Sequence, residues 1–340
     1  VQFVFLEEGG MEHRHWPKLD RAFALLALVC SATANTTGQA AAYPERPLRY
    51  VLPSAAGGGP DVAARVVMSE LSKQTGQQVI VDNRPGASGL LGTELIARAT
   101  PDGYTMGHGN INTMAINRSV MSKLPYDPDR DLQAVVLMYY SPNLLAVTLS
   151  LPVKSVQELI DHAKKNPDKL IFASTGNGSS VHVGMELFKL MTSTQMVHVP
   201  YKAATVAITD LTAGRVQLMA DNIQSIGSHV KAGRLRGLAV TSGRRVPAFA
   251  DLPTVAEAGV PGFDVSAWAG ALVPAGVPKA VVAQLNAAIN KALATSAVRE
   301  KLPEMGLEVA GGTPEQFAAH IKSEAAKWAD VVKRSGAKVD

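Results

Sequence analysis

The sequence predicts an α/β fold built mostly of parallel strands, and two observations carry that prediction. From Leu48 onward, short apolar runs alternate with amphipathic segments of helical period, and the connections between them are rich in Gly, Ser, Asn and Pro. Strand and helix taking turns along a chain is the order that lays helices over a parallel sheet. The composition supplies the core such a fold needs: 46% of the 340 residues are hydrophobic and 18% charged, which sets the chain apart from disordered ones.

Taken in order, residues 48–52 read as a strand, 54–60 as a loop, and 61–75 as a helix with Val62, Val66, Val67 and Leu71 on one face. Residues 79–81 are the next strand, 83–89 a loop and 90–99 a helix. The same style returns with a helix over 155–166, a strand over 171–173, a loop over 175–180, a helix over 181–192 and a strand over 197–199. A helix over 204–213 closes at Gly214, a strand follows over 216–220, a helix over 223–232 closes at Gly233, and a strand occupies 238–240. The tail from Lys279 to Ser335 is rich in Ala, Lys and Glu and reads as three helices. There is no repeat of fixed period and no low-complexity linker, so any domain boundary is a crossover inside compact structure.

The first 42 residues read as a leader. Met11, the expected start, opens a polar segment with Arg14, Lys18 and Arg21; an apolar run follows over 22–32, then the small-residue stretch 39–42. That is the order of a secretory signal peptide, and the apolar run is shorter than the ~20 residues of a membrane span. Cleavage is expected near Ala42. It would remove three basic and four acidic residues, leaving 30 against 25, together with the sole cysteine, Cys30. Val29 before Cys30 argues against an acyl anchor there. An exported chain without thiols has nothing to mispair in an oxidising compartment.

Several function classes are excluded. A net charge of +4 with no clustered Lys/Arg stripe, and 5% aromatics, give no footprint for nucleic acid. One cysteine rules out a disulfide framework and any multi-cysteine metal site. Gly178-Ser-Ser-Val-His182 ends in His where a nucleophile elbow needs Gly, and Gly57-Gly-Gly59 lacks the third glycine of a dinucleotide fingerprint because position 62 is Val. No Walker A and no H-E-x-x-H occur. The histidines His108, His162, His182, His198, His229 and His320 are scattered singly, the pattern of hydrogen-bonded or surface residues and not of a metal site. No catalytic constellation, cofactor or metal is expected; an exported hydrolase would need a nucleophile, base and oxyanion set that is not visible.

What recurs instead is a polar loop between a strand and a helix: residues 54–61, 82–89 and 174–180. Small residues there let a ligand approach the backbone, and the first N–H groups of the following helix are free donors at its positive end. A helix N-terminus is worth about 0.3–1 kcal/mol to a charge and a hydrogen bond to a charged group about 1.5–3, so one loop binds a carboxylate feebly. Several converging loops could reach about 8 kcal/mol, the free energy of micromolar binding. Gly-rich loops also serve as plain connectors; their shared place at the carboxyl ends of strands, where open α/β sheets hold ligands, favours binding. Arg84 has two readings, a direct partner for an anion or a tie within its own loop. Asp61, in a first helical turn, reads as a cap that would repel an anion if it faced the site, and Asp221 is a weaker candidate.

The segments that carry these loops resemble the Bug, or TctC-type, periplasmic solute receptors of tripartite tricarboxylate transporters. They are Val51-Leu-Pro-Ser-Ala-Ala-Gly-Gly-Gly-Pro-Asp61, Val81-Asp-Asn-Arg-Pro-Gly-Ala-Ser-Gly-Leu-Leu-Gly92, Ala99-Thr-Pro-Asp-Gly-Tyr-Thr105 and Ser174-Thr-Gly-Asn-Gly-Ser-Ser180. Val197-His-Val-Pro-Tyr-Lys202, Ala220-Asp-Asn222, Asp251-Leu-Pro-Thr-Val-Ala-Glu-Ala-Gly259 and Gly311-Gly-Thr-Pro314 follow in consistent order. The resemblance implies a two-lobed periplasmic binding protein of type II, a Venus flytrap whose chain crosses between lobes twice. Lobe one would be 43–141 plus 264–340 and lobe two 142–263.

It also implies a small carboxylate held between the lobes with ordered waters. Carried over by position, the contacts are Ala56, Gly57, Gly58 and Gly59 with Ser174, Thr175, Ser179 and Ser180, while Asp221 and Asn222 border the cleft. Ser54 departs from the family, where an aromatic residue is common, and Tyr139 or Tyr140 is a candidate for an aromatic wall or for core and hinge packing. The implied partners are the carboxylate and the membrane subunits of a transporter or, alternatively, a sensor kinase. The mature chain is expected to be a periplasmic monomer that inserts into no membrane and binds no nucleic acid.

Overall fold

The computed structural model of the chain describes residues 43–339, so the leader reading lies outside the described residues. β1 (Leu48–Leu52) buries Leu48, Tyr50, Val51 and Leu52 and runs parallel to its two neighbours, β2 (Val79–Asn83) and β3 (Thr105–Asn110). Between β1 and β2 lies α1 (Gly59–Thr75). It starts with Pro60 in its first turn and stops at Gly76, whose left-handed backbone (φ 69°) ends the helix with an N–H bond to the Ser72 carbonyl. Its buried face is Ala63, Ala64, Val67, Met68 and Leu71. Val62, expected on that face, is 40% exposed and turns toward a cleft instead.

α2 (Leu90–Ala97) follows β2, and a turn over Asn112–Ile116 continuing into α3 (Asn117–Val120) follows β3. β4 (Leu132–Thr148) is the longest described strand. The second half then alternates α4 (Val156–Lys165), β5 (Ile171–Ser174), α5 (Ser180–Thr192), β6 (Val197–Pro200), α6 (Ala204–Thr212), β7 (Leu218–Asn222), α7 (Ile223–Lys231) and β8 (Leu235–Val240). β9 (Ser266–Pro274), α8 (Lys279–Leu293), α9 (Ser296–Glu304), β10 (Glu308–Val309) and α10 (Pro314–Ser335) complete the chain.

The strand order is β2-β1-β3-β9-β4-β7-β5-β6, with β8 and β10 also paired to β4. Up to Pro142, β4 pairs with β9; from Asn143 it pairs with β7 on one side, and from Leu144 with β8 on the other. The chain returns where Val265 N–H bonds the Thr241 carbonyl at 2.8 Å and Ser266 meets Pro142. One strand therefore belongs to two sheets and the return runs beside it, which makes a two-lobed α/β fold with two adjacent crossings.

The expectation of mostly parallel strands holds for the outer strands, β1–β2, β1–β3, β5–β6 and β5–β7, and fails at the centre. Every pairing made by β4 and β9 is antiparallel, and the pairing between the two has to be, because a strand that leaves a sheet and one that comes back alongside it point in opposite directions. β3 hides in the sequence because Gly107 and Gly109 are poor strand formers. They serve close packing: a Cβ at either position would fall 2.1 Å from Ile96 Cδ1 or 2.3 Å from Leu272 Cδ1.

α10 packs the C-terminal stretch against β4, the 112–120 turn and α5. Its start is a capping box, in which the Thr313 hydroxyl accepts from Gln316 N–H (3.2 Å) and the Gln316 side chain accepts from Thr313 N–H (2.9 Å). Phe317 and Trp328 on its inner face are buried; a buried side chain of such size contributes about 1.5–3 kcal/mol or more. The buried Glu324 carboxylate accepts from the indole N–H groups of Trp268 (3.1 Å) and Trp328 (2.9 Å), which ties α10 to the start of β9.

Candidate functional site

A cleft of about 830 Å³ lies where the loops of both sheets meet. Its first wall is the loop after β1. Gly57 there has a left-handed backbone (φ 77°), and its N–H donates to the Asp61 carboxylate at 2.8 Å. Asp61 also receives Arg65 Nε (3.0 Å) and Asn83 Nδ2 (2.9 Å). Burial pushes this carboxyl up, but hydrogen bonds from Arg65, Gly57 and Asn83 together hold it below its ordinary range. Asp61 is therefore neither a helix cap nor a ligand contact; it shapes the loop from behind. With no side-chain cap on α1, and with Pro60 carrying no N–H, the Gly59 and Asp61 N–H groups are the ones left available at its start. Opposite, Gly59 comes so close to Gln224 on α7 that a Cβ would lie 2.9 Å from its Oε1.

The loop after β2 contributes Gly86, Ser88 and Gly89. Gly89 (φ 88°) precedes the uncapped start of α2 and lies so close to the β3 turn that a Cβ would meet Thr113 Cγ2 at 2.8 Å. Arg84 takes the loop-holding role: its Nε lies 2.9 Å from Asp82, which also accepts from Arg49 Nε at 2.9 Å.

The third wall is the loop after β5. The Ser179 hydroxyl caps α5 by accepting from His182 N–H (3.2 Å). Beneath it, Ser174 Oγ lies 2.6 Å from His198 Nε2 and accepts from Gly176 N–H (3.1 Å), while His182 Nδ1 accepts from Gly178 N–H (3.1 Å). The rings of His182 and His198 stack at 3.8 Å, with Phe172 against His198 at 4.8 Å. Burial, assisted by Lys189, holds His182 down at about 4; burial, His182 and Lys189 hold His198 at about 3. Both are neutral, and for His182 the bond that Nδ1 accepts from Gly178 N–H requires it. Ser174 and His198 are the nearest approach to a nucleophile and base, but Ser174 is fully buried and offers no surface to a substrate.

Of the residues singled out from sequence, Gly57, Gly59, Thr175, Ser179, Ser180 and Asn222 line the cleft. Ala56 and Gly58 belong to the same loop but do not line it. Ser174 and Asp221 lie underneath: Ser174 is spent on His198, and Asp221 accepts from Asn222 N–H at 2.8 Å through Oδ1 while Oδ2 has no partner among the described residues. Burial pushes Asp221 up to about 6, against the pull of that hydrogen bond.

Sequence reasoning missed the fourth wall. It comprises Asn110 at the end of β3 and Asn112 past it, Gln224 and Ser225 at the start of α7, and Ser141, whose hydroxyl donates to Asn222 Oδ1 at 3.2 Å. It missed His108 and Trp268 as well; Tyr139 lines the cleft and Tyr140 does not. Had residues 105–110 been recognised as a strand, the rule that placed the other loops would have placed Asn110 and Asn112. Ser54 takes its place on the wall.

Among the described residues that line the cleft none is Lys, Arg, Asp or Glu. Four helices, α1, α2, α5 and α7, start at its edge, and their N-terminal donors with the Ser, Thr, Asn and Gln side chains make a neutral, donor-rich chamber. Such a chamber suits an anion bound by hydrogen bonds and helix dipoles without a counter-charge.

Known proteins share this design. A protein from Pseudomonas sp. (strain P51), the UPF0065 protein in the tcbD-tcbE intergenic region, is 39% identical over 92% of this chain and 93% of its own. The solved structure of R. palustris Rpa4515 with adipate superposes with a TM-score of 0.78 at 38% identity, covering 87% of this chain and 99% of that one. MatC (Rpa3494) from Rhodopseudomonas palustris with bound malate gives 0.74 at 33% identity, covering 85% and 100%. Residues 63–337 match the family model described as the tripartite tricarboxylate transporter family receptor, TctC. The chain belongs to that family of periplasmic solute-binding receptors.

Proposed function

We propose that this chain, exported by its signal peptide, captures a small carboxylate between lobes 43–141 plus 264–340 and 142–263. It then delivers the carboxylate, as a monomer and without chemical change, to the membrane subunits of a tripartite tricarboxylate-type transporter. The observation that carries the proposal is the chamber itself: four helix starts and a set of neutral donors converge on one cleft that holds no carboxylate of its own to repel the ligand. Gly57, Gly59, Thr175, Ser179, Ser180 and Asn222 are the proposed contacts. Ala56 and Gly58 shape the first loop, Ser174 supports the third and Asp221 underlies Asn222. Adipate and malate in the structures of relatives support the ligand class.

A thermal-shift panel of di- and tricarboxylates, aromatic carboxylates and acidic amino acids on the chain from Tyr43 tests it. A ligand at a hundred times its Kd stabilises by about 2.7 kcal/mol and raises the melting temperature. Cells lacking the gene should also lose uptake of the same compound. A panel without any shift refutes the reading.

A further inference from the structure

The titratable side chains lining the cleft are His108 and Tyr139. His108, on β3, is 2% exposed, and its Nδ1 lies 3.1 Å from the Tyr50 hydroxyl. Tyr50 is fully buried, and its other contact, Met138 Sδ at 4.0 Å, is a weak acceptor. Burial, reinforced by the nearby Tyr139, holds the Tyr50 phenol protonated. A buried hydroxyl needs an acceptor, so its proton goes to Nδ1, and the ring proton of His108 is thereby fixed on Nε2. Nε2 takes no partner among the described residues, and the ring stands tilted against Tyr139, with centroids 6.3 Å apart, in the cleft wall.

We propose that His108 is a specificity-determining residue. Its Nε2–H, oriented by Tyr50, donates to a second hydrogen-bond acceptor on the bound carboxylate and selects ligands that have one over ligands of equal length with an apolar end. The inference rests on the carboxylate reading of the cleft and adds the residue that reads the rest of the ligand. A site built to donate leaves its buried donor unpaired when the acceptor is missing, which is the stronger form of discrimination. An ammonium in place of the acceptor would meet donor against donor and be rejected too. Tyr50 is the positioning residue. The titratable groups facing the imidazole are the phenols of Tyr50 on β1 and Tyr139 on β4, and burial lowers the imidazole to about 4. The donor is therefore neutral across the ordinary range of pH.

Titration calorimetry with succinate, malate and adipate, each beside the monocarboxylate of the same chain length, tests the inference. The wild type should bind at least one diacid about tenfold or more tightly than its monoacid. His108→Leu should abolish that ratio by weakening the diacid while the monoacid stays within about twofold. His108→Gln, which keeps a neutral donor, should recover most of it. Tyr50→Phe, which frees the ring proton to sit on either nitrogen, should give an intermediate ratio. The ratio in the wild type should be level from about pH 7 to 8.5, where both carboxyl groups of each diacid are ionised and His108 is neutral. An unchanged ratio in His108→Leu, an equal loss for both ligand types, or no wild-type preference for the diacid overturns the proposal while leaving the receptor reading standing. Absence of any binding by the wild type overturns the receptor reading and this inference together.

Discussion

Asp61 and Asp221 are both buried beneath the cleft, and their surroundings push them in opposite directions. Asp61 has Arg65, Gly57 N–H and Asn83 around its two oxygens, and it stays ionised. Asp221 has one hydrogen bond and an orphan oxygen, and burial raises it to about 6. In the unfolded chain an aspartate loses its proton near 3.9, so between about pH 4 and 6 the folded chain holds a proton that the unfolded chain has lost. Stability contributed by this residue therefore falls as pH rises through that window and is level above it. Two units correspond to roughly 3 kcal/mol. Asp221→Asn, which copies the protonated acid, should raise stability by about 2–3 kcal/mol at pH 8 and by little at pH 4 in urea unfolding; an equal gain at both would disprove the assignment. The pair Asp221-Asn222 shows how far sequence reaches at this scale. Successive strand residues face opposite sides, so only one of the two meets the cleft.

At the scale of elements, the loop over 174–180 depends on two histidines from different places, His182 on α5 and His198 on β6. The register of β5 with β6 sets Phe172 opposite His198 and so brings the stack together. Gly, Ser and Asn made the loop legible in the sequence, because they punctuate backbone conformation locally. Its histidine underpinning was not legible, since it arises from strand pairing. The same reason hid β4 and β9: a nearly continuous apolar run such as 132–148 has no period to read, and its membership of two sheets is a property of pairing.

The histidine pair also predicts a pH response of the element. Both rings are neutral when folded and titrate near 6.5 when unfolded, so the support they give is complete above about pH 6.5. It is lost as pH falls toward their folded values of about 4 and 3. Hydrogen exchange, corrected for its intrinsic pH dependence, should show the amides of 176–182 losing protection between pH 7 and pH 4.5 while those of 54–61 hold. Equal loosening of both loops would assign the effect to the whole fold and not to the stack.

For the whole molecule, β4 and β9 join the lobes, and Trp268 stands near the start of β9 with the cleft on one side and a second cavity of about 580 Å³ on the other. Arg244, past β8, reaches Glu308 on β10 with its Nε at 2.6 Å, so the second cavity is spanned by an ion pair between the two sheets. If the lobes close on the ligand as proposed, capture is a population shift that Trp268, which lines both cavities, is placed to report by fluorescence. Residues 43–340 carry a modest positive excess, yet the described residues lining the cleft carry none of it. If capture depended on surface cations, raising the salt would shorten their reach from about 10 Å at 0.1 M to about 3 Å at 1 M and weaken binding steeply. Hydrogen bonds and helix ends in contact with the ligand act within about 3 Å and are screened far less. The Kd of a carboxylate followed through Trp268 should therefore change by no more than about threefold between 50 and 500 mM NaCl, and Trp268→Phe should remove the signal. A tenfold loss of affinity over that range would mean that Lys or Arg from outside the lining closes over the ligand, and the neutral chamber would be only part of the site.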